Sequence, residues 1–177
     1  MATIYTRGGD DGTTSLAGGD RIAKDAPAIE LLGALDEANS LIGLARVNVV
    51  GSDVDDALAF VQQRLLNCGA AVAGASGVGV AAEDVTALEA AIDRFASKAG
   101  GFAGFVLPGC DEASARLHVA RTVIRRAERA AARANAAVPL PPNVLPFLNR
   151  AGDLLYVAAR YAGAGNECRW DPDAPRP

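Results

Sequence analysis

Apolar residues recur three and four positions apart in five stretches of the chain, the spacing that puts one stripe of a helix against a core. The first predicted helix is introduced by Lys24 and Asp25, with Asp25 as N-cap and Pro27 in the first turn, and runs to about Val47 with Leu32, Leu35, Asn39 and Ile42 inward. Asp53 is expected to cap a second helix reaching about Gly74, with Leu58, Val61, Leu65, Cys68 and Val72 inward. A third spans about Ala82 to Ala99 through Val85, Leu88, Ile92 and Phe95. A fourth covers Glu112 to Ala136, its stripe formed by Leu117, Ala120, Ile124, Ala127 and Ala131. Pro139, Pro141 and Pro142 stop it, and a fifth helix follows, its stripe carried by Leu145, Leu148, Gly152, Leu155 and Ala159. The pattern predicts an all-α bundle of five helices.

The ends of the chain lack this period. Residues 1–23, rich in glycine and threonine, are expected to form a loop; residues 24–164 form the bundle; residues 165–177, rich in proline and charge, are expected to be a mobile tail in which Trp170 is the one group able to dock. At 177 residues the chain suits one core, and half of it is hydrophobic while only 5% is aromatic, which favours closely packed helices. A net charge of −4 and a pI near 5.0 argue against nucleic-acid and anionic-membrane partners. No apolar run approaches the roughly 20 residues of a membrane span, and the N-terminus lacks signal-peptide regions, so a cytoplasmic location is expected. Cys68, Cys110 and Cys168 are widely separated and expected to be free thiols.

Against that acidic background, Arg116, Arg121, Arg125, Arg126, Arg129 and Arg133 crowd the fourth helix, offset locally by Glu112 and Glu128. Arg121, Arg125 and Glu128 follow the helical spacing on the stripe beside the buried one. A solvated charged face accounts for part of this, but cations at helical spacing repel unless an anion compensates them, and guanidinium suits phosphate or carboxylate. The stretch TRGGDDGTTS at 6–15 offers backbone N–H groups and hydroxyls of the kind that cradle phosphate, although it is no Walker A motif. Polar groups also crowd the stripes elsewhere: Asp36 and Asn39 on the first helix, Asn149 and Asp153 on the fifth. A carboxylate near the core is expected to have a partner, and an arginine of the fourth helix suits Asp36. Phe102 and Phe105 stand on a Gly- and Pro-broken connection, as core plugs or against a ligand. His118, the only histidine, reads as structural or surface, and no Glu-x-x-His pair supports a ferritin-like metal site.

Taken together, TRGGDDGTT at 6–14, Lys24, GALDEANSLIG at 33–43, FVLPG at 105–109, RTVIRRAER at 121–129 and LNRAGDLLYVAAR at 148–160 resemble the PduO-type ATP:cob(I)alamin adenosyltransferases, across residues 3–163. The resemblance implies a five-helix bundle assembled as a homotrimer, with ATP between neighbouring subunits and cobalamin beside it. It implies that Thr6, Arg7, Gly8, Gly9, Thr14, Ser15 and Lys24 wrap the triphosphate, and that Arg125, Arg126, Ala127, Glu128, Arg129 and Asn149 complete the nucleotide site. It further implies an Asp36–Arg121 ion pair, Phe105 on the lower axial side of the corrin ring, Mg²⁺ accompanying ATP, and a reductase and an adenosylcobalamin-dependent mutase as partners. The expected reaction converts ATP and cob(I)alamin to adenosylcobalamin and triphosphate; the alternative is a module that binds and delivers adenosylcobalamin. The chain departs from the family pattern at Gly8, where threonine is common, at Cys110, where glycine is common, and at Ala151–Gly152, where a pairing with serine is more usual.

Overall fold

The computed structural model describes residues 5–100, 104–163, 166–167 and 169–176; Phe102 and Cys168 lie outside the described residues. Five helices are present among them: α1 (Pro27–Arg46), α2 (Asp53–Val72), α3 (Ala82–Lys98), α4 (Glu112–Ala137) and α5 (Val144–Ala162). None is long and apolar enough to cross a membrane.

The N-terminal segment departs from the expected loop. Thr13–Ser15 (β1) and Arg21–Ala23 (β2) pair as an antiparallel hairpin in which Thr14 faces Ile22. Its turn closes through the Leu16 N–H donated by way of 3.1 Å to the Asp20 carbonyl, with Gly19 at φ +87°, a conformation other residues resist. So short a ribbon needs support. The Ala17 N–H supplies it by donating to the Ala73 carbonyl at the end of α2, 2.9 Å away.

Two helix starts also differ from expectation. Ala26, without a side-chain cap, precedes α1 in place of Asp25, because Pro27 at the first position already presets the turn. Ser52, not Asp53, caps α2 by accepting from the Asp55 N–H at 3.2 Å; Asp53 instead takes an ion pair from Lys98 at 2.8 Å, fastening α3. The cap of α4 is Asp111, whose Oδ1 accepts from the Ser114 N–H at 2.7 Å.

α4 is the centre of the bundle, packed between α1 and α5, while α2 covers α1 and α3 covers α5. Leu117, Ala120, Ile124, Ala127 and Ala131 are fully buried, as the stripe predicted, and the alanines let neighbouring backbones approach closely. Each fully buried Leu, Ile or Phe contributes roughly 1.5–3 kcal/mol relative to exposure, which is why the stripe outweighs the charge repulsion beside it. Cys68 lies in this core, where burial pushes its thiol up to about 12.

Candidate functional site

Because the buried stripe fixes the rotation of α4, the arginine row emerges along its shoulder. Arg121 is half-buried, and Arg125, Arg126 and Arg129 are exposed. Arg126 pairs with Glu37 of α1. No carboxylate of the described residues lies within ion-pair distance of Arg121, Arg125 or Arg129. The Arg121 Nε is buried without a hydrogen-bond partner, and desolvation, with the Arg125 charge adding to it, holds its pKa below the ordinary value. A guanidinium in that state gains more from an anion than a solvated one does. Glu128 accepts from the Asn149 amide of α5 at 2.9 Å, and Arg150 donates to Asn149 Oδ1, so these groups form one polar seam. Gly152 lies under Arg125, and a Cβ there would stand 3.5 Å from the Arg125 Cγ, in ordinary contact. Ala127 is fully buried, so its methyl belongs to the core and not to the surface that the row presents.

Around the hairpin, cations fold the Gly/Thr loop onto itself. Lys24 Nζ donates to the Gly9 carbonyl at 2.7 Å, and a Cβ on Gly9 would come within 3.1 Å of both that Nζ and the Thr13 carbonyl oxygen. A larger residue there would push these neighbours back by a few tenths of an ångström. Arg21 donates to the Gly8 carbonyl at 2.5 Å, to Asp11 at 3.2 Å and to the Thr13 hydroxyl. The bonds from Thr13 and then the Arg21 charge hold the Asp11 carboxyl below its usual range. Arg21 was not legible as a partner of this loop, since the hairpin register pairs it with Ser15 and only the folded ribbon brings its side chain back to Asp11 and Thr13. Thr6 accepts from the Gly8 N–H at 3.4 Å, and Arg7 sits at φ 60° with its guanidinium 5.8 Å from the Tyr5 ring centre. Gly8 leaves room for a larger side chain, whose Cβ would be 3.6 Å from Thr6 Oγ1. Thr14 and Ser15 lie on β1.

One chain does not bring these halves together. Leu16 and Ile22 of the hairpin segment line one cavity with Ala134 and Ala137 of α4, which lie about 7 to 18 Å along the axis from Arg129 and Arg125 at 1.5 Å per residue. Asp36 is exposed and lines a groove between α1 and α2 with Leu32, Leu35, Leu65 and Leu66. Arg121 instead lines a cleft of about 230 Å³ with Pro108, Ala115, His118, Val119 and Thr122. The expected Asp36–Arg121 ion pair is absent within the chain: with Leu31 and Leu35 buried, Asp36 lines the groove between α1 and α2, while Arg121 lines the cleft on α4.

His118 is 4% exposed, lies edge-on to Tyr156 with ring centres 6.2 Å apart, and has an unpartnered Nδ1. Burial first, and the Arg121 charge second, lower its pKa from 6.5, with Glu167 opposing them. Folding therefore favours the neutral ring: its contribution is present above pH 6.5 and is lost as the pH falls below that value. The denaturant midpoint is expected to fall between pH 7 and 5, with a smaller fall in His118→Gln; equal slopes in the two proteins would show that other groups govern acid unfolding. Phe105 is 68% exposed and lies edge-on to Trp170, with ring centres 6.2 Å apart.

The model of the family described as cobalamin adenosyltransferase matches residues 4–162. The chain is 39% identical over 163 residues to the corrinoid adenosyltransferase PduO of Salmonella typhimurium, covering 89% of this chain but 48% of that protein, so it spans about half the length of that relative. It is 37% identical to the corrinoid adenosyltransferase of Bacillus subtilis, covering 91% of this chain and 86% of the relative. Its fold superposes on a variant PduO-type ATP:corrinoid adenosyltransferase from Lactobacillus reuteri complexed with cobalamin and ATP, with a TM-score of 0.86 and 29% identity over 95% of this chain and 99% of that one.

Proposed function

This chain belongs to the cobalamin adenosyltransferase family, and from that membership we propose that it transfers the 5′-deoxyadenosyl group of ATP to cob(I)alamin, giving adenosylcobalamin and triphosphate. The observation that carries the reading is the row of Arg121, Arg125 and Arg129 on α4, half-buried at one end and without carboxylate partners among the described residues.

In the reaction Co(I) attacks the 5′ carbon, a Co–C bond forms, and the C5′–O bond breaks with its electron pair leaving on triphosphate. Cobalt supplies both electrons and no proton moves at the carbon, so no general base is required. The protein's task is to neutralise charge on the departing chain, and fixed guanidinium groups do so without reorganising. Arg125 and Arg129 are assigned to the phosphates, and Glu128 and Asn149 fix the edge of the nucleotide site. Thr6, Arg7, Gly8, Gly9, Thr14, Ser15 and Lys24 supply the other wall. Mg²⁺ is expected to arrive on the triphosphate: the described residues hold no cluster of three acidic, His or Cys side chains, and this ion commonly keeps water and phosphate as most of its ligands.

The separation of the two walls supports a site shared between protomers of a homotrimer, the hairpin of one facing the arginines of the next. Asp36 and Arg121, apart within the chain, would then pair across the same seam. A cytoplasmic protein with these substrates requires a reductase to supply Co(I) and passes its product to an adenosylcobalamin-dependent mutase.

Phe105 is assigned to the lower face of the corrin ring, where an apolar ring offers cobalt no ligand and so eases reduction from Co(II). The test is anaerobic: cob(I)alamin and MgATP should give adenosylcobalamin and triphosphate in equal amounts. A protein that bound adenosylcobalamin but alkylated nothing would be a delivery module. Phe105→Ala should sharply reduce the four-coordinate signal that cob(II)alamin develops with MgATP, while binding of ATP alone is unchanged; an undiminished signal would remove Phe105 from the site.

A further inference from the structure

The connection that carries Phe105 is bounded by Gly104 at φ +108° and Gly109 at φ +100°, backbone conformations that favour glycine. Both Phe105 and Trp170 are more than half exposed, so their contact is not demanded by the core. Contacts outside the core therefore contribute to the orientation of the Phe105 ring.

The C-terminal segment makes three attachments that do so. Arg160 of α5, only 6% exposed, donates from Nε to Glu167 Oε1 at 2.7 Å and from Nη2 to Glu167 Oε2 at 3.1 Å. The same Nη2 donates to the Ala99 carbonyl at 3.3 Å, beyond the end of α3. A bidentate pair to a buried guanidinium is a firm anchor, since two parallel charge-assisted bonds fix the carboxylate's geometry. Two residues on, Arg169 forms an antiparallel bridge with Val106. The Trp170 N–H donates to the Phe105 carbonyl at 2.9 Å, and the indole meets the Phe105 ring at 77°.

We propose that Glu167, Arg169 and Trp170 form a strap anchored on Arg160, and that Trp170 is the positioning residue that holds the Phe105 ring in the orientation it needs against the corrinoid. This rests on the reading of Phe105 given above. Backbone pairing fixes the height of residue 105, and the edge-on indole restricts rotation of its ring, so the two contacts together set both position and tilt.

The experiment compares the full-length protein with Trp170→Ala and Trp170→Phe. In the ligand-free protein, amide exchange at residues 105–107 should quicken in Trp170→Ala and stay near the original rate in Trp170→Phe, which keeps an aromatic edge; the backbone N–H of residue 170 is present in both variants. With cob(II)alamin and MgATP, Trp170→Ala should lose about fivefold of the four-coordinate signal, the change that one edge-to-face aromatic contact of ordinary strength makes in a two-state population. KM for ATP should be unchanged, with the loss in kcat, and Trp170→Phe should restore most of it. Unchanged exchange in Trp170→Ala would overturn the strap whatever the ligand does, as would equal losses of signal in the two variants. Exchange that responds as expected, in a protein whose unsubstituted form gives no four-coordinate signal, would support the strap and refute the corrinoid assignment instead.

Discussion

Arg125→Ala is expected to lower kcat for adenosylcobalamin formation by about 10²–10³, the usual consequence of deleting one fixed donor to developing negative charge, while leaving thermal stability nearly unchanged. The two halves of that expectation have separate causes. Arg125 is exposed, lies one helical turn from Arg121 and Arg129, and has no carboxylate partner among the described residues, so removing it vacates no core volume and relieves repulsion along α4. Its aliphatic stem packs over Gly152, where the lost contact is small. Charge on the departing triphosphate grows as the C5′–O bond breaks, so the guanidinium contributes more to the transition state than to bound ATP, and kcat should fall more than KM rises. Steady-state kinetics under anaerobic conditions, beside a melting curve, check both parts. Wild-type turnover in the variant would transfer the phosphate role elsewhere on the shoulder; a collapse of Tm would mean that the row is structural.

Phe95→Ala should behave in the opposite way, costing about 3–5 kcal/mol of stability, as deletion of a buried aromatic generally does, with the site chemistry intact. Phe95 is fully buried on α3 and stacks on Tyr161 of α5 with ring centres 5.4 Å apart and planes 15° from parallel. α3 makes its main contact with α5, and its ion pairs to α2, Lys98 with Asp53 and Arg64 with Asp84, are partly exposed and individually weak. The ring is therefore, with Leu88, one of the two buried side chains that fasten that helix. Domains are commonly stable by only 5–15 kcal/mol, so the variant should unfold at a much lower denaturant midpoint, with the slope unchanged if the transition stays two-state. Because α3 carries none of the proposed site residues, kcat measured at low temperature should remain near normal. A midpoint shift below about 1 kcal/mol would show that the helix is held by something other than this stack.

Much of this was legible along the chain, and the parts that were not share a cause. Helix content followed from apolar spacing, and the α4 stripe was right residue by residue, because a period of 3.6 is a local property that burial only enforces. The caps at Ser52 and Ala26 were missed by one residue each. The competing signals, an acidic first turn after Ser52 and a proline after Ala26, are equally local, and only the geometry of the approaching chain chooses between them. The hairpin was read as a loop since its strands are three residues long and lack alternation; pairing, the Arg21 bonds and the Ala73 anchor lie up to fifty-odd residues apart. Asp36 illustrates the same limit in reverse. Its proximity to an apolar stripe marked it for an arginine partner that the folded chain does not supply, because the side chain is exposed and which neighbouring helix it faces depends on the rotation of α1.

By itself, the order of residues determined the number of helices, the face each one buries, and a concentration of guanidinium groups that local carboxylates only partly neutralise. These depend on backbone periodicity and net charge, which are set within a few turns of chain. Only the tertiary structure decided that the hairpin and the arginine shoulder occupy different stations along α4, that Asp36 and Arg121 point apart, and that the tail returns to hold Phe105. Those facts depend on how rigid helices rotate and dock to fill one shared interior, a condition that involves every element at once and is written in no single stretch.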